Sequence, residues 1–472
     1  MRRLKSSRFN IEVPTPDTGE TILYNSLYGS VTVLDAAELP VVRGFLEAGT
    51  EPNADEHGVL STLRKQRHLI PINADETAIV KRRKRLGVRD ANRLDVILMP
   101  TLDCNFSCTY CYETRRASRM SPAIESEITR WLEAQIPRFK LTLLHWFGGE
   151  PLLARGLVAR VSRRATGAAR AAGVECAVHI TTNGYLMTPE RLPGLLDAGI
   201  RDFQVTLDGT AETHDRMRML RSGGGTFQRI FENVVAAART DDRLRVSLRI
   251  NFNHTNLAAV PALLRAFPDD VRPRLRPVLE PIFGDCSCSA TLNLPAEEIS
   301  AEMARCYELA AALGYWVAPP STGTAPGKLV YCYAERENQV IINFNGDVFK
   351  CSVCGFQPEE RVGHIAPGGV LVKDPARWAA WVSDDALFDD QCYSCPYLPL
   401  CMGGCRKERL RRAGTGSYCA LVPTNASQAL KQIAFGRIDR VLYGACGRGQ
   451  ATSSSNVAGA AFIHPAIEEV SR

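Results

Sequence analysis

Three cysteines, Cys104, Cys108 and Cys111, stand in a C-x3-C-x2-C loop directly after the apolar run Leu94 to Met99. That placement suits a strand ending in a tight loop wrapped round a metal centre. Thiolates are soft ligands that favour zinc or iron–sulfur. A closed structural site takes four protein ligands, and this loop supplies three with no neighbouring His or Cys to complete the set. One metal position is therefore left open. Taken alone, the loop could also be half a zinc ribbon, or thiols buried as small hydrophobes.

The spacing, with the aromatic Tyr110 just before the third cysteine, resembles the radical S-adenosylmethionine (radical SAM) enzymes. The resemblance implies a [4Fe-4S] cluster on Cys104, Cys108 and Cys111, whose open iron binds SAM, and it counts Tyr110 among the cofactor-binding residues. Phe147-Gly148-Gly149-Glu150-Pro151 is similar to the family element whose backbone meets the SAM amino group. Thr181-Thr182-Asn183-Gly184, Gln204 to Gly209 and Arg249-Ile250-Asn251 fall where the family's strand ends contact SAM ribose and carboxylate. Gly148, Gly149, Glu150, Asn183, Thr206 and Arg249 are the SAM-contact candidates implied. No residue is assigned a catalytic proton transfer or nucleophilic attack.

Positioning these loops requires a regular scaffold, and the chain after Leu94 alternates apolar strands with helical stretches. Strand candidates are 94–99, 141–147, 174–181, 203–207, 244–252 and 275–282. Repeated βα units with apolar strands predict a parallel sheet covered by helices. Right-handed crossovers would curl six such units into a partial (β/α)6 barrel, with ligands at the carboxyl ends of the strands. The fold class expected is α/β.

Residues 9–13, 21–24 and 30–34 predict three short strands before two helical patterns, near 36–46 and 55–66, with 68–72 as a last strand. This small α+β unit resembles the winged-helix-like recognition domain of enzymes that modify ribosomally made peptides. Such a domain would bind a leader peptide as an added strand. The basic run Lys81 to Arg85 reads as a solvated hinge in a linker, or as a dock for an acidic peptide. It lacks aromatic neighbours or a nucleic-acid-binding module, so neither DNA nor RNA is expected as a partner.

Cys332, Cys351, Cys392, Cys395, Cys401, Cys405 and Cys419 resemble the cysteine-rich SPASM extension of radical SAM peptide maturases. The resemblance implies two auxiliary [4Fe-4S] clusters. Cys392, Cys395, Cys401 and Cys419 would hold the distal one; Cys332, Cys351 and Cys405 would hold the nearer, completed by Cys354 or left open. Paired structural zinc sites are the alternative. Cys176 and Cys306 read as buried hydrophobes, and Cys286 and Cys288 as loop residues.

Five segments follow: 1–90 for recognition and basic linker, 91–285 for the barrel, 286–330 as a helical bridge, 331–446 for SPASM and 447–472 as a flexible tail. No apolar run approaches the roughly 20 residues of a membrane-spanning helix. The start shows no secretion signal, so the chain is expected in the cytoplasm, where its 16 cysteines serve better as metal ligands than as disulfides. The implied activity is reductive cleavage of SAM, with a 5′-deoxyadenosyl radical abstracting hydrogen from a precursor peptide to install a thioether or carbon–carbon (cyclophane) crosslink. Its partners would be that leader-bearing peptide and a flavodoxin- or ferredoxin-type electron donor. The alternative is an anaerobic sulfatase-type maturase forming formylglycine. That family carries an Asp directly after the cysteine matching Cys351, where this chain has Ser352.

Overall fold

The computed structural model describes residues 4–15, 19–48, 58–113, 115–282, 296–317, 329–383, 388 and 390–411. Cys286, Cys288, Cys419, Cys446 and the stretch 447–472 lie outside them. The chain divides into two compact units, along lines unlike the five expected segments. One comprises Met1–Arg89, Pro320–Arg336 and Val382–Arg472, and the other Asp90–Pro319 and Glu337–Trp381.

In the first unit, β1 (Leu4–Ser6) pairs antiparallel with β5 (Leu69–Pro71), while β2 (Asn10–Thr15), β3 (Glu20–Asn25) and β4 (Val31–Leu34) form a three-stranded antiparallel sheet. Strand β3 is central and buried on both faces. Its Leu23 packs with Val42 and Phe45 of α1 (Glu38–Ala48) and Leu63 of α2 (Val59–Lys65). Ile22 and Tyr24 turn the other way, onto Leu400 of the second cysteine block. The alternation of strand side chains thus serves two cores at once.

The basic run is not a hinge. It lies within α3 (Glu76–Val88), started by Asp75, whose side chain accepts the Ala78 N–H. Helical spacing puts Val80, Lys84 and Val88 on one buried face, leaving Arg82 and Arg85 exposed. Lys84 is tolerated there because Glu335 meets its ammonium at 2.5 Å.

His68, fully buried between β1 and the sheet, bonds Asn10 Oδ1 through Nδ1 at 3.0 Å. Burial lowers its pKa to about 4. Because the folded value lies below the unfolded one near 6.5, the native state favours neutral His68. Its contribution is complete above pH 6.5 and is lost as pH falls toward 4. Urea unfolding at pH 5 should give a stability roughly 2 kcal/mol lower than at pH 7 from this group. His68→Leu should show a correspondingly smaller pH dependence; an equal dependence in both proteins would contradict the assignment.

The second unit is organised on a ten-stranded sheet. Strands β6 (Arg93–Leu98), β7 (Leu141–Trp146), β8 (Glu175–Thr182), β9 (Ile200–Thr206), β10 (Arg245–Phe252) and β11 (Leu275–Pro281) run parallel in sequence order. The helices α4 (Pro122–Gln135), α5 (Arg155–Ala172), α6 (Leu192–Leu196), α7 (Ala211–Met217), α8 (Phe227–Thr240) and α9 (Val260–Ala266) connect them, and α10 (Ala296–Ala312) follows β11. Beyond β6 the sheet continues through β12 (Gln339–Ile342), parallel to β6, and the antiparallel β13 (Asp347–Phe349), β14 (Gly363–Ala366) and β15 (Val370–Lys373). The sheet thus incorporates residues 339–373, which the sequence places in the C-terminal domain.

Trp146 donates to Ser162 of α5 at 2.8 Å, which fixes the helix-covered face of β7. The opposite face carries His145, whose register partner is His179, itself opposite Asp202; Gln204 and Thr206 follow along β9 and Arg249 lies opposite Thr206. A parallel sheet is usually apolar on both faces. Here one face is polar toward the carboxyl ends, as a ligand-lining surface would be. Burial drives His145 down to about 3, so the lining imidazole is neutral. Among the described residues no helix is long and apolar enough to cross a membrane.

Candidate active site

The cysteine loop leaves β6 and is held from two sides. On one side Gly149 and Glu150 donate their N–H groups to Thr101 O at 3.2 Å and Asp103 O at 2.9 Å. Gly148 has φ +107°, and a Cβ there would fall 2.5 Å from Thr101 O. A Cβ on Gly149 would collide with Asp103 O. The glycine pair therefore lets two backbones touch. On the other side, Ser107 and Thr109 donate to Met219 O and Met217 O, each at 2.9 Å.

Glu150 is fully buried, and its carboxylate accepts from Leu152 N at 2.9 Å, Thr182 Oγ1 at 2.8 Å and Asn183 N at 2.8 Å. The side chain thus ties the end of β8 to the turn after β7, with no surface of its own exposed to a ligand. Asn183 stands beside the cysteines: its Nδ2 bonds Asn105 Oδ1 at 2.8 Å and lies 3.9 Å from Cys104 Sγ. Cys104 Sγ also accepts the Phe106 N–H at 3.4 Å. Burial first, then Glu150, pushes the Cys104 thiol up to about 12, so a metal must displace its proton to bind.

Tyr110 turns its hydroxyl into a buried polar network that spacing alone did not reveal. It donates to Asp208 Oδ2 and receives Arg218 Nη1 at 2.7 Å and Asn251 Nδ2 at 3.0 Å. Asp208 Oδ1 accepts Asn251 N at 2.7 Å. The backbone N–H of Asp208 reaches His214 Nδ1 at 3.0 Å, and His214 Nε2 meets Thr226 Oγ1 at 3.0 Å. Asp208, Arg218 and Asn251 are the residues missed as partners of the cysteine loop. Burial raises the Asp208 pKa, while Arg218 and the Tyr110 hydroxyl oppose that rise.

Arg249, on the polar face of β10, donates through Nε to Asn251 Oδ1 at 2.7 Å, but its buried Nη1 has no hydrogen-bond partner. Such an orphaned cationic donor calls for an anion. Thr206, its register neighbour, is buried at the same strand ends. Gly148, Gly149, Glu150, Asn183, Thr206 and Arg249 therefore all occupy the carboxyl-end region around the cysteine loop.

Residues 98–256 match the radical SAM superfamily. The chain carries a radical SAM domain. Proteins of this superfamily use a [4Fe-4S] cluster and SAM. The domain's first relatives include Fe-coproporphyrin III synthase of Methanosarcina barkeri, 25% identical over 38% of this chain and 42% of that protein. The chain spans about two fifths of the length of the first two curated relatives it matches, at 42% and 41%. The similarity to PqqA peptide cyclase of Rhodopseudomonas palustris runs further, at 25% identity over 70% of this chain and 87% of that protein. The solved structure of anSMEcpe with bound AdoMet and Cp18Cys peptide shares the fold, with TM-score 0.55 and 17% identity over 75% of this chain and 99% of that one.

The residues of the radical SAM domain fit the cofactor pair. Among the described residues no three His, Cys, Asp or Glu side chains converge on a single ion, yet the three loop thiols lie close enough to act on one another electrostatically. Thiols spread in this way can each take a separate iron of one cluster. Arg249 supplies an unmet donor for an anionic group.

In the first unit, the second cysteine block is built from tight turns. Cys395 N bonds Cys392 O at 3.1 Å, and Gly404 N bonds Cys401 O at 3.1 Å as the short α11 (Leu398–Cys401) ends at the left-handed Met402. Cys405 precedes a last described helix, Arg406–Arg411. Cys332 belongs to this unit, whereas Cys351 and the buried Cys354 belong to the other.

Proposed function

We propose that this chain is a radical SAM peptide maturase that crosslinks a ribosomally made precursor, by a thioether or a carbon–carbon bond. The observation carrying the cofactor reading is the unpartnered Nη1 of Arg249 on a polar strand face beside a three-cysteine loop. When bound, the cluster and SAM would supply a 5′-deoxyadenosyl radical that takes hydrogen from the peptide.

The residues' own tasks follow from their contacts. Cys104, Cys108 and Cys111 would hold the cluster, and Tyr110, Asp208 and Arg218 hold their loop. Arg249 would pair with the SAM carboxylate, with Asn183 and Thr206 lining the same site. Gly148 and Gly149 would bring backbone to the SAM amino group, and Glu150 fixes that backbone. In the second block Cys392, Cys395, Cys401 and Cys419 would hold an auxiliary cluster in a SPASM-type domain. The N-terminal β-sheet would accept the leader as an added strand. A flavodoxin- or ferredoxin-type protein would deliver the electron in the cytoplasm.

The long similarity to a peptide cyclase supports a peptide substrate. Formylglycine formation is the less supported reading, because the position after Cys351 is the buried hydroxyl of Ser352, a poor base at neutral pH. Incubation with SAM, reductant and a precursor peptide encoded beside the gene should lower the peptide's mass by two hydrogens per crosslink, without an aldehyde. Deoxyadenosine production with no peptide change, across such precursors, would reject the crosslinking assignment.

A charge-assisted hydrogen bond to a buried group contributes about 1.5–3 kcal/mol. Arg249→Leu should therefore weaken SAM binding by roughly 10- to 150-fold, measured by calorimetry on the reconstituted enzyme. Unchanged affinity would remove Arg249 from the SAM site.

A further inference from the structure

The N-terminal α3 holds the second cysteine block by its carbonyls and by a buried charge. Lys84 Nζ donates to Met402 O at 2.9 Å, next to Cys401, and to Glu335 Oε1 at 2.5 Å. The other oxygen of Glu335 accepts Tyr331 N at 2.9 Å and Cys332 N at 3.4 Å. One ammonium thus connects the backbone at two separate cysteines. Two further side chains of the same module do related work: Ser26 Oγ donates to Pro396 O at 2.5 Å, and Arg8 donates to Tyr393 O. Lys81 lies 4.6 Å over the Tyr393 ring, between Cys392 and Cys395 in sequence.

Stability does not account for Lys84. It sits on the apolar seam of α3 between Val80 and Val88, with 2% of its side chain exposed, as for Glu335. Burying both charges is costly, and apolar replacements of such pairs are often neutral or stabilising. What an apolar pair could not provide is the donor to Met402 O, the acceptor for Cys332 N, or a fixed charge beside the cysteines. Net charge and hydrogen bonding are the protein's means of setting an iron–sulfur potential.

We propose that Lys84 is a positioning residue through which the N-terminal module fixes the second cysteine block and sets the potential of the iron–sulfur centre there. This rests on the reading of that block as a cluster site. The N-terminal module then becomes part of the redox apparatus as well as a peptide-binding appendage.

The test is an EPR-monitored redox titration, with iron counting, on the full reconstituted chain. Lys84→Met removes a positive charge and should move the midpoint potential of the second-block centre to more negative values. Glu335→Gln removes a negative charge and should move it to more positive values. The radical SAM domain's own centre should stay unshifted in both. Opposite signs are the signature, since general loosening has no reason to respect charge. Loss of iron from the second block alone in Lys84→Met would also support the fixing role. If Lys84→Met does not fold, Lys81→Gln, only partly exposed over Tyr393, should shift the potential in the same negative direction. Full iron with unmoved midpoints, or shifts of one sign in both charge variants, would overturn the inference. A wild-type chain with no second centre would instead overturn the cluster reading of the block, and this inference with it.

Discussion

Cys108→Ala should abolish 5′-deoxyadenosine formation while leaving the barrel folded. The loop offers three thiols and no fourth: Cys104 Sγ is approached by the amides of Asn105 and Asn183, which are bonded to each other at 2.8 Å, and the Asp103 carboxylate accepts the Cys104 N–H. Removing one thiol leaves two corners of a cluster unprotected, and no neighbouring residue can substitute for the lost soft ligand. Loss of even an outer-shell partner typically costs about 10–100-fold in metal affinity or activity, so loss of a ligand itself should exceed that range. Deoxyadenosine measured chromatographically with dithionite as reductant isolates the effect from any protein donor. Circular dichroism should be unchanged, because the loop's backbone is held independently by Thr101, Asp103, Met217 and Met219. Turnover of Cys108→Ala within tenfold of wild type would remove the loop from cofactor chemistry.

The parts legible in the sequence were those whose physics is local. A cysteine loop after an apolar strand, and glycine–polar turns after the next strands, announce themselves within a few residues because each forms where its strand ends. Residue roles at those turns were less legible. Gly148-Gly149-Glu150 reads as a ligand-facing element, but the glycines also admit the carbonyls of Thr101 and Asp103, and the Glu150 carboxylate is spent on backbone and Thr182. Those contacts depend on which loop crosses which, and no periodicity encodes that. Lys84 is the extreme case: its basic neighbours suggest solvent, while its partner Glu335 lies 251 positions away. Helical phase alone would have placed Lys84 with Val80 and Val88. Only the distant carboxylate explains why a lysine is tolerated there. The same limit hid the division of the chain, since residues Glu337–Trp381 join the barrel sheet by pairing β12 with β6, a match made between strands over two hundred residues apart.

The buried network round Tyr110 makes a second large effect testable. Asp208 is fully buried and Arg218 is 7% exposed, with Arg218 Nε 3.9 Å from Asp208 Oδ2 and both groups meeting at the Tyr110 hydroxyl. Asp208→Ala leaves the Arg218 guanidinium without its carboxylate in a site that water does not reach. Breaking one side of a buried pair costs about 3–5 kcal/mol. Tyr110→Phe, by contrast, deletes hydrogen bonds while keeping both charges, and should cost nearer 1 kcal/mol. The two variants separate stability from tethering. Tyr110→Phe cuts the loop's side-chain bonds to Asp208, Arg218 and Asn251, while Asp208→Ala cuts the first of them and leaves Asn251 Nδ2 on Tyr110. Both should slow SAM cleavage, but only Asp208→Ala should lower the urea midpoint strongly. The double variant Asp208→Ala/Arg218→Met removes the stranded cation, and should recover part of the stability lost by Asp208→Ala alone. Its SAM cleavage should remain impaired, since the Asp208 and Arg218 bonds to Tyr110 are still absent and only that from Asn251 is left. If Asp208→Ala unfolds within 1 kcal/mol of wild type by urea titration, or the double variant is the less stable of the two, then Asp208 is not neutralising a buried Arg218.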